Sequence, residues 1–92
     1  MLKFVWDTRK AEGNLRKHAV TFDEAKSVFS DPHAETHSDP IHSADEDRFI
    51  TIGTTARGRL VVVVHVDVDA TTIRIISARP ATVRERQDHE EA

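Results

Sequence analysis

The chain reads as an α+β domain, a small antiparallel sheet with helices packed on one face in the order β-α-α-β-β-β-β-α. Three observations predict it. Three runs rich in β-branched residues, RFITIGT, RLVVVVHV and TTIRIISA, are split by the short connections Arg57-Gly58 and Asp69-Ala70, which is the pattern of an antiparallel meander. Upstream of them, apolar residues recur at helical spacing behind two capping signals. With 92 residues, 38% of them hydrophobic and 32% charged, the chain is large enough for one core and too small for two. A single domain over residues 1–92 is therefore expected.

LKFVW is the first strand, with Phe4 and Trp6 on one face. Asp7 then caps a helix running to about His18, because its short carboxylate accepts from first-turn amides. The apolar stripe of that helix, Ala11, Leu15 and Ala19, is thin. The second helix opens at Thr21-Phe22-Asp23-Glu24, a capping box in which threonine and glutamate each satisfy one backbone donor. Phe22, Ala25, Val28 and Phe29 share its inner face, and Asp31-Pro32 ends it, since a residue before proline avoids the helical region. Residues 33–47 lack a sustained period and contain turn residues, which predicts a short edge strand followed by an exposed loop.

Leu60 to Val64 has no polar face, so this strand is expected at the centre of the sheet, covered on both sides. One cover would be a partner chain. Pro80 suits the first turn of a closing helix, where its missing amide costs nothing. That helix has only Ala81 and Val83 to bury and is wholly polar beyond Arg84, so the tail from about 87 to 92 is expected to fray.

The net charge of −3 conceals an uneven distribution. Arginines crowd the stretch from Arg48 to Arg86, while acids gather at residues 39–47 and in the tail DHEEA. A local basic site for phosphate fits this pattern, and duplex-coating DNA binding does not. With no cysteine, disulfides and thiolate chemistry are excluded, in keeping with a reducing cytoplasm. The longest apolar run, LVVVV, is too short to span a bilayer, so no membrane association is expected. His33, His37 and His42, with Asp31 and Asp39, have spacings that suit a helix, yet Pro40 interrupts them and no HExxH accompanies them. No metal and no cofactor are expected.

Arg74 and Arg79 bracket the last strand. Two arginines five apart project from one face only if the strand ends or bulges near Ser77. The functional reading is then a guanidinium fork for phosphate; the plain alternative pairs Arg74 with an acid across the sheet and leaves Arg79 at the surface. Lys17 and His18 end the first helix, where cations are favoured by the helix dipole whatever the function. His65, inside VVVHV, reads as a core or interface histidine with one hydrogen bond.

Taken together, FVWDTRKAEGNLRKHAVTFDEAKSVFSDP, EDRFITIG and IRIISARPATVRER resemble the BrnT family of bacterial toxins. The pieces W-D, N-x-x-K-H, F-x-x-A, E-x-R, I-S-A-R and E-R stand in that family's order between Trp6 and Arg86. The resemblance implies a RelE-like ribonuclease fold, RNA cleavage that arrests growth, and neutralisation by a BrnA-type antitoxin. That antitoxin carries a ribbon-helix-helix domain, so DNA would be bound only through the complex, expected as a heterotetramer. Matched by motif, the catalytic candidates are Lys17, His18, Glu46, Arg57, Arg59 and Arg79, and the substrate-binding candidates are Arg48, Arg74 and Arg84. Where family members often carry a tyrosine after the final E-R, this chain has His89.

Metal-free cleavage needs a base for the 2′-hydroxyl, cations for the phosphorane and an acid for the leaving oxygen. Glu46 or His18 is the expected base, His18 or His89 the acid, and Arg79 with Arg57 or Arg59 and Lys17 the electrostatic support. Two other classes compete with this expectation: a non-catalytic module descended from a toxin that binds a partner chain, and a DNA-binding regulator. The second is disfavoured by net charge and by the lack of a helix-turn-helix pattern.

Overall fold

The computed structural model describes residues 1–39 and 47–91. Its elements are β1 (Lys3–Val5), α1 (Thr8–His18), α2 (Phe22–Lys26) followed by a 3-10 turn (Ser27–Ser30), β2 (Glu35–Ser38), β3 (Arg48–Thr54), β4 (Leu60–Asp69), β5 (Thr72–Pro80) and α3 (Val83–Glu91). The expected order holds. The loop anticipated after β2 lies outside the described residues.

The five strands form one sheet in the order β1-β5-β4-β3-β2. β2 to β5 are antiparallel neighbours, as the meander predicts, but β1 runs parallel to β5, pairing Lys3 to Val5 with Thr72 to Arg74. The sheet is thus mixed rather than antiparallel. A three-residue strand carries too little pattern to specify direction; here β1 covers the outer edge of β5, which would otherwise expose unpaired backbone groups.

β1 covers only the first part of that edge, and a side chain takes over further along. Asn14, buried in α1, donates from Nδ2 to the carbonyls of Ala78 at 2.8 Å and Val20 at 3.0 Å, and its Oδ1 accepts the Ala78 amide at 3.0 Å. A primary amide presents a donor and an acceptor side by side, as a neighbouring strand would. It satisfies both groups of Ala78 while fixing α1 against the sheet.

The core fills the space between the sheet and the first two helices. Val20, Phe22, Ala25 and Val28 meet Val61, Val63, Ile75 and Ala78, with Phe4, Trp6, Ala11, Phe29 and Ala34 at the margin. Trp6 meets Phe22 edge-on at 5.8 Å, and Phe29 meets Phe4 at 5.3 Å. Gly53 lets the 3-10 turn close on β3, since a β-carbon there would stand 2.9 Å from Val28 Cγ1 and 3.0 Å from Ala34 Cβ. His65 is a core histidine: its Nε2 lies 2.7 Å from Thr51 Oγ1, and its ring meets Phe29 edge-on.

Local signals fare unevenly. Asp7 Oδ1 accepts the Lys10 amide at 3.0 Å, as expected of an N-cap. Thr21 Oγ1 accepts the Glu24 amide at 3.0 Å, but Glu24 does not complete the box, because its carboxylate is taken by Arg59 and Thr55. Pro80 is the last residue of β5, opposite Val61, and not the first turn of a helix. The closing helix starts later, where Thr82 Oγ1 accepts the Glu85 amide at 3.1 Å and Glu85 Oε1 accepts the Thr82 amide at 2.8 Å. This is a complete capping box, and α3 runs from it to Glu91 with His89 as its most buried side chain.

The expectation of helices on one face is corrected by α3. Directly paired residues point to one side of a sheet, so Glu35, Ile52, Val62 and Arg79 form a row facing away from the core. α3 lies over that row, joined to Arg79 through Glu85 and placed beside Glu35 through His89. Its polar sequence carries no apolar stripe to direct it into the core, and ion pairs dock it on the other face instead. Val62, expected to need a cover on this side, lies beneath it.

Replacing Asn14 with alanine leaves both groups of Ala78 and the carbonyl of Val20 without their partner. At about 1–3 kcal/mol for each buried group left unpaired, the expected cost is about 3 kcal/mol, a fall of roughly 12–24 °C in Tm for a domain of this size. Thermal unfolding measures it, and a change under about 1 kcal/mol would mean that water replaces the amide.

Candidate functional site

The outer face of the sheet carries an open groove of about 480 Å³ lined by Asp39, Arg48, Ile50, Val64, Ile76, Ser77 and Arg79. Its geometry originates in β5. Val64 pairs with Ser77 and His65 with Ile75, so Ile76 is an extra residue and the strand bulges there. The bulge reverses the alternation beyond it: Arg79 opposes Val62 while Arg74 opposes Val66, which places two arginines five apart on one face. Ile76 and Ser77 consequently both line the groove.

Arg79 is held tightly. Its Nη1 and Nη2 donate to the two oxygens of Glu85 at 2.7 and 2.8 Å, and Nη1 also reaches the Pro80 carbonyl at 3.3 Å. This end-on bidentate pairing leaves the Nε edge of the guanidinium outside the Glu85 pair. The arginine, together with the Thr82 amide, holds the Glu85 carboxyl down to about 2 against the opposing effect of burial. Arg48 enters the groove from β3, beside Asp39, whose amide donates to the Arg48 carbonyl at 2.8 Å.

The remaining candidates lie elsewhere. Arg59 belongs to the helical side of the sheet, where Nε and Nη2 bind the buried Glu24 carboxylate and Nη2 also reaches the Ala19 carbonyl at 2.9 Å. Arg57 is exposed, with Nη1 4.0 Å from the same carboxylate. Hydrogen bonds from Arg59 are the main reason that the Glu24 carboxyl lies below its ordinary value, with Thr55 adding to them and burial opposing. Lys17 is exposed and His18 half-buried in the last turn of α1, which leads into this junction. Arg74 lines a separate recess of about 220 Å³ with Asp7 and Lys10. Arg84 is exposed on α3, 3.6 Å from Asp88. Glu46 and His42 lie outside the described residues.

The sheet therefore divides the sequence-derived set. Arg48 and Arg79 share the groove, whereas Arg57 and Arg59 gather on Glu24 across the sheet. Two residues of the outer face, Glu35 and Glu85, are absent from the sequence-derived site set, and His37 was weighed there only as a metal ligand. Thr82-Val83-Arg84-Glu85 repeats the spacing of Thr21 to Glu24, a signal that would have located both the helix start and Glu85. Nothing in the sequence joins Glu35 to His89, more than fifty residues apart. Among the described residues no group of three or more His, Asp or Glu side chains is arranged to hold a metal ion, and no helix is long and apolar enough to cross a membrane.

Two arginines beside an apolar floor thus mark the outer face of this small α+β protein. A family model described as ribonuclease toxin, BrnT, of type II toxin-antitoxin system matches residues 6–85. The fold is similar to that of the Brucella abortus ribonuclease toxin BrnT in its 1.1 Å crystal structure, with a TM-score of 0.70 and 25% sequence identity over 89% of this chain and 99% of that one. No curated protein matches the chain in sequence. The chain belongs to the BrnT family of ribonuclease toxins of type II toxin-antitoxin systems, a membership that implies an RNA substrate and an antitoxin partner.

The Arg79–Glu85 pair makes the docking of α3 sensitive to acid. A carboxyl held at about 2 in the folded chain contributes stability that is present above its unfolded value and is lost as pH falls through the folded one. The Glu85 side-chain carboxyl carbon resonance should stay at its ionised position through the ordinary glutamate range and shift only toward pH 2. Glu85→Gln should loosen α3 already at pH 7. An unchanged α3 in that variant, followed by NMR, would show that the pair does not anchor the helix.

Proposed function

We propose that this chain arrests growth by cutting RNA without a metal ion, with the scissile phosphate held in the outer-face groove between Arg79 and Arg48. The observation that carries this reading is the bulge at Ile76, which brings Arg79 onto the groove face beside Ser77, in a groove that Arg48 also lines. Cleavage by the neighbouring 2′-hydroxyl builds negative charge on the phosphorane, and guanidinium groups held along the groove stabilise it where it forms. They supply the positive charge that a metal ion supplies in other nucleases. Ile50, Val64 and Ile76 offer an apolar surface for a base.

Lys17, His18, Arg57 and Arg59 fall outside this site in the proposal. The Glu24–Arg59 pair is read as a structural tie between the β3–β4 hairpin and the start of α2. Arg74 and Arg84 are read as flanking cations for the RNA backbone on either side of the groove. Glu46 of E-x-R remains a candidate base by its motif position.

The antitoxin is proposed to be a BrnA-type ribbon-helix-helix protein that forms a heterotetramer with the toxin and carries the DNA contacts, with the complex acting in the cytoplasm. A RelE-like relationship belongs to the same reading. One observation favours a second one: Glu85 already occupies Arg79 with both oxygens, as in a purely structural pair. A non-catalytic binding module would look like this.

Induced expression in a bacterial host, with growth and total-RNA integrity followed in parallel, separates the two. Wild type should stop growth and fragment RNA, and Arg79→Ala should lower cleavage by about 10²–10³-fold while remaining folded and still binding the antitoxin. A folded Arg79→Ala chain as toxic as wild type would remove Arg79 from the site. A folded wild type that leaves growth and RNA intact, with partner binding lost in Arg79→Ala, would support the binding module.

A further inference from the structure

Beside the arginine groove, on the same face, lies a second recess of about 210 Å³. Its floor is Ile50, Ile52 and Val62, and its rim includes Glu35, His37 and His89. Ile50 floors both hollows, so they adjoin. Glu35 and His37 are two apart on β2 and pair with Ile52 and Ile50, which puts both side chains on this face. His89 arrives from α3, one helical turn beyond Glu85. Its Nδ1 stands 2.9 Å from Glu35 Oε1, without the alignment of a hydrogen bond, and His37 Nε2 stands 3.7 Å from Oε2. One carboxylate thus bridges two imidazoles, one from the sheet and one from the helix that covers it.

We propose that His37 and His89, bridged by Glu35, carry the two proton transfers of RNA cleavage, one as general base and the other as general acid. The proposal rests on the ribonuclease reading of the groove. The groove's guanidinium groups cannot serve, because arginine does not release its proton in proteins. Imidazole is the side chain whose ordinary titration lies between pH 5 and 8, and two of them provide the opposite protonation states that the reaction uses in concert. The carboxylate between them lies within ion-pair reach of both rings and steadies whichever one holds the proton. The charged groups around the pair are Glu35 from β2, Glu85 and Asp88 from α3, Arg79 through Glu85, and Asp31 at the end of the 3-10 turn, within electrostatic reach of His89.

In the step, the neutral imidazole takes the proton from the 2′-hydroxyl as O2′ forms its bond to phosphorus. The bond from phosphorus to O5′ breaks, and the imidazolium gives its proton to that oxygen. The products are a 2′,3′-cyclic phosphate and a 5′-hydroxyl, with no water consumed, and exchange with solvent resets the two rings. Glu35 acts through the histidines and is a positioning residue.

The test uses the purified chain and a labelled RNA oligonucleotide, with kcat and KM measured from pH 5 to 8 for wild type, His37→Gln, His89→Gln and Glu35→Gln. Wild type should give a bell-shaped profile and cyclic-phosphate ends. Each histidine variant should lose one limb of the bell and about 10²-fold in kcat, with KM little changed. Glu35→Gln should keep both limbs, displaced, with a smaller loss. The His37 side chain is 69% exposed, so its replacement tests the pair even if His89→Gln loosens α3. Histidine variants with the wild-type profile overturn the pair and leave the ribonuclease reading standing. A folded wild-type chain that cuts no RNA overturns both.

Discussion

The side-chain amide of Asn14 is the interaction on which the rest of this molecule depends. It takes the place of a strand along the part of β5 that β1 does not reach, and it does so from a helix. Sheet edge, α1 and the αL turn into Val20 are locked by one side chain. Its partner Ala78 is the residue immediately before Arg79 and two after the bulge at Ile76. The backbone that aims the arginine is therefore fixed on both sides, by the ladder to β4 and by the amide.

The sheet also works as a partition between two uses of ionic chemistry. On the helical side, Glu24 and Arg59 form a tie whose carboxylate is almost wholly buried and fully bonded, joining a hairpin to a helix. On the outer side, Arg79 and Glu85 form a pair whose side chains are 40% and 32% exposed, next to an open groove. Exposure decides what each can do. The buried Glu24 carboxylate resists losing its arginine because a single charge left behind is costly, whereas the partly solvated Glu85 carboxylate gives up its arginine at smaller cost.

Much of this was legible in the residues. The β-branched runs located β3, β4 and β5, and the unbroken apolarity from Leu60 to Val64 located the central strand. Parity made a strand end or a bulge near Ser77 the condition for arginines at 74 and 79 to share a face and left open whether they do; the bulge at Ile76 meets that condition. Less accessible were features that depend on distance through space. The direction of β1 rests on three residues with no periodicity. The side of the sheet chosen by α3 rests on Arg79 finding Glu85, a consequence of charge placement after folding, because no apolar stripe encodes it. Proline at 80 read as a helix signal when its locked dihedral serves equally well to end a strand. The grouping of Glu35, His37 and His89 joins the far edge of the sheet to the last helix, beyond the range of any spacing rule.

The docking of α3 has a consequence for how the molecule opens. Apart from His89, whose side chain is nearly buried, this helix keeps its side chains exposed or half-buried, and the Glu85–Arg79 pair ties its start to the sheet. Elements with so little buried apolar area sit at the low end of the local stability range. The hold of α3 weakens as ionic strength rises, since salt screens exposed charges and leaves the buried core untouched. Access to the outer face is set by electrolyte as well as by chain sequence.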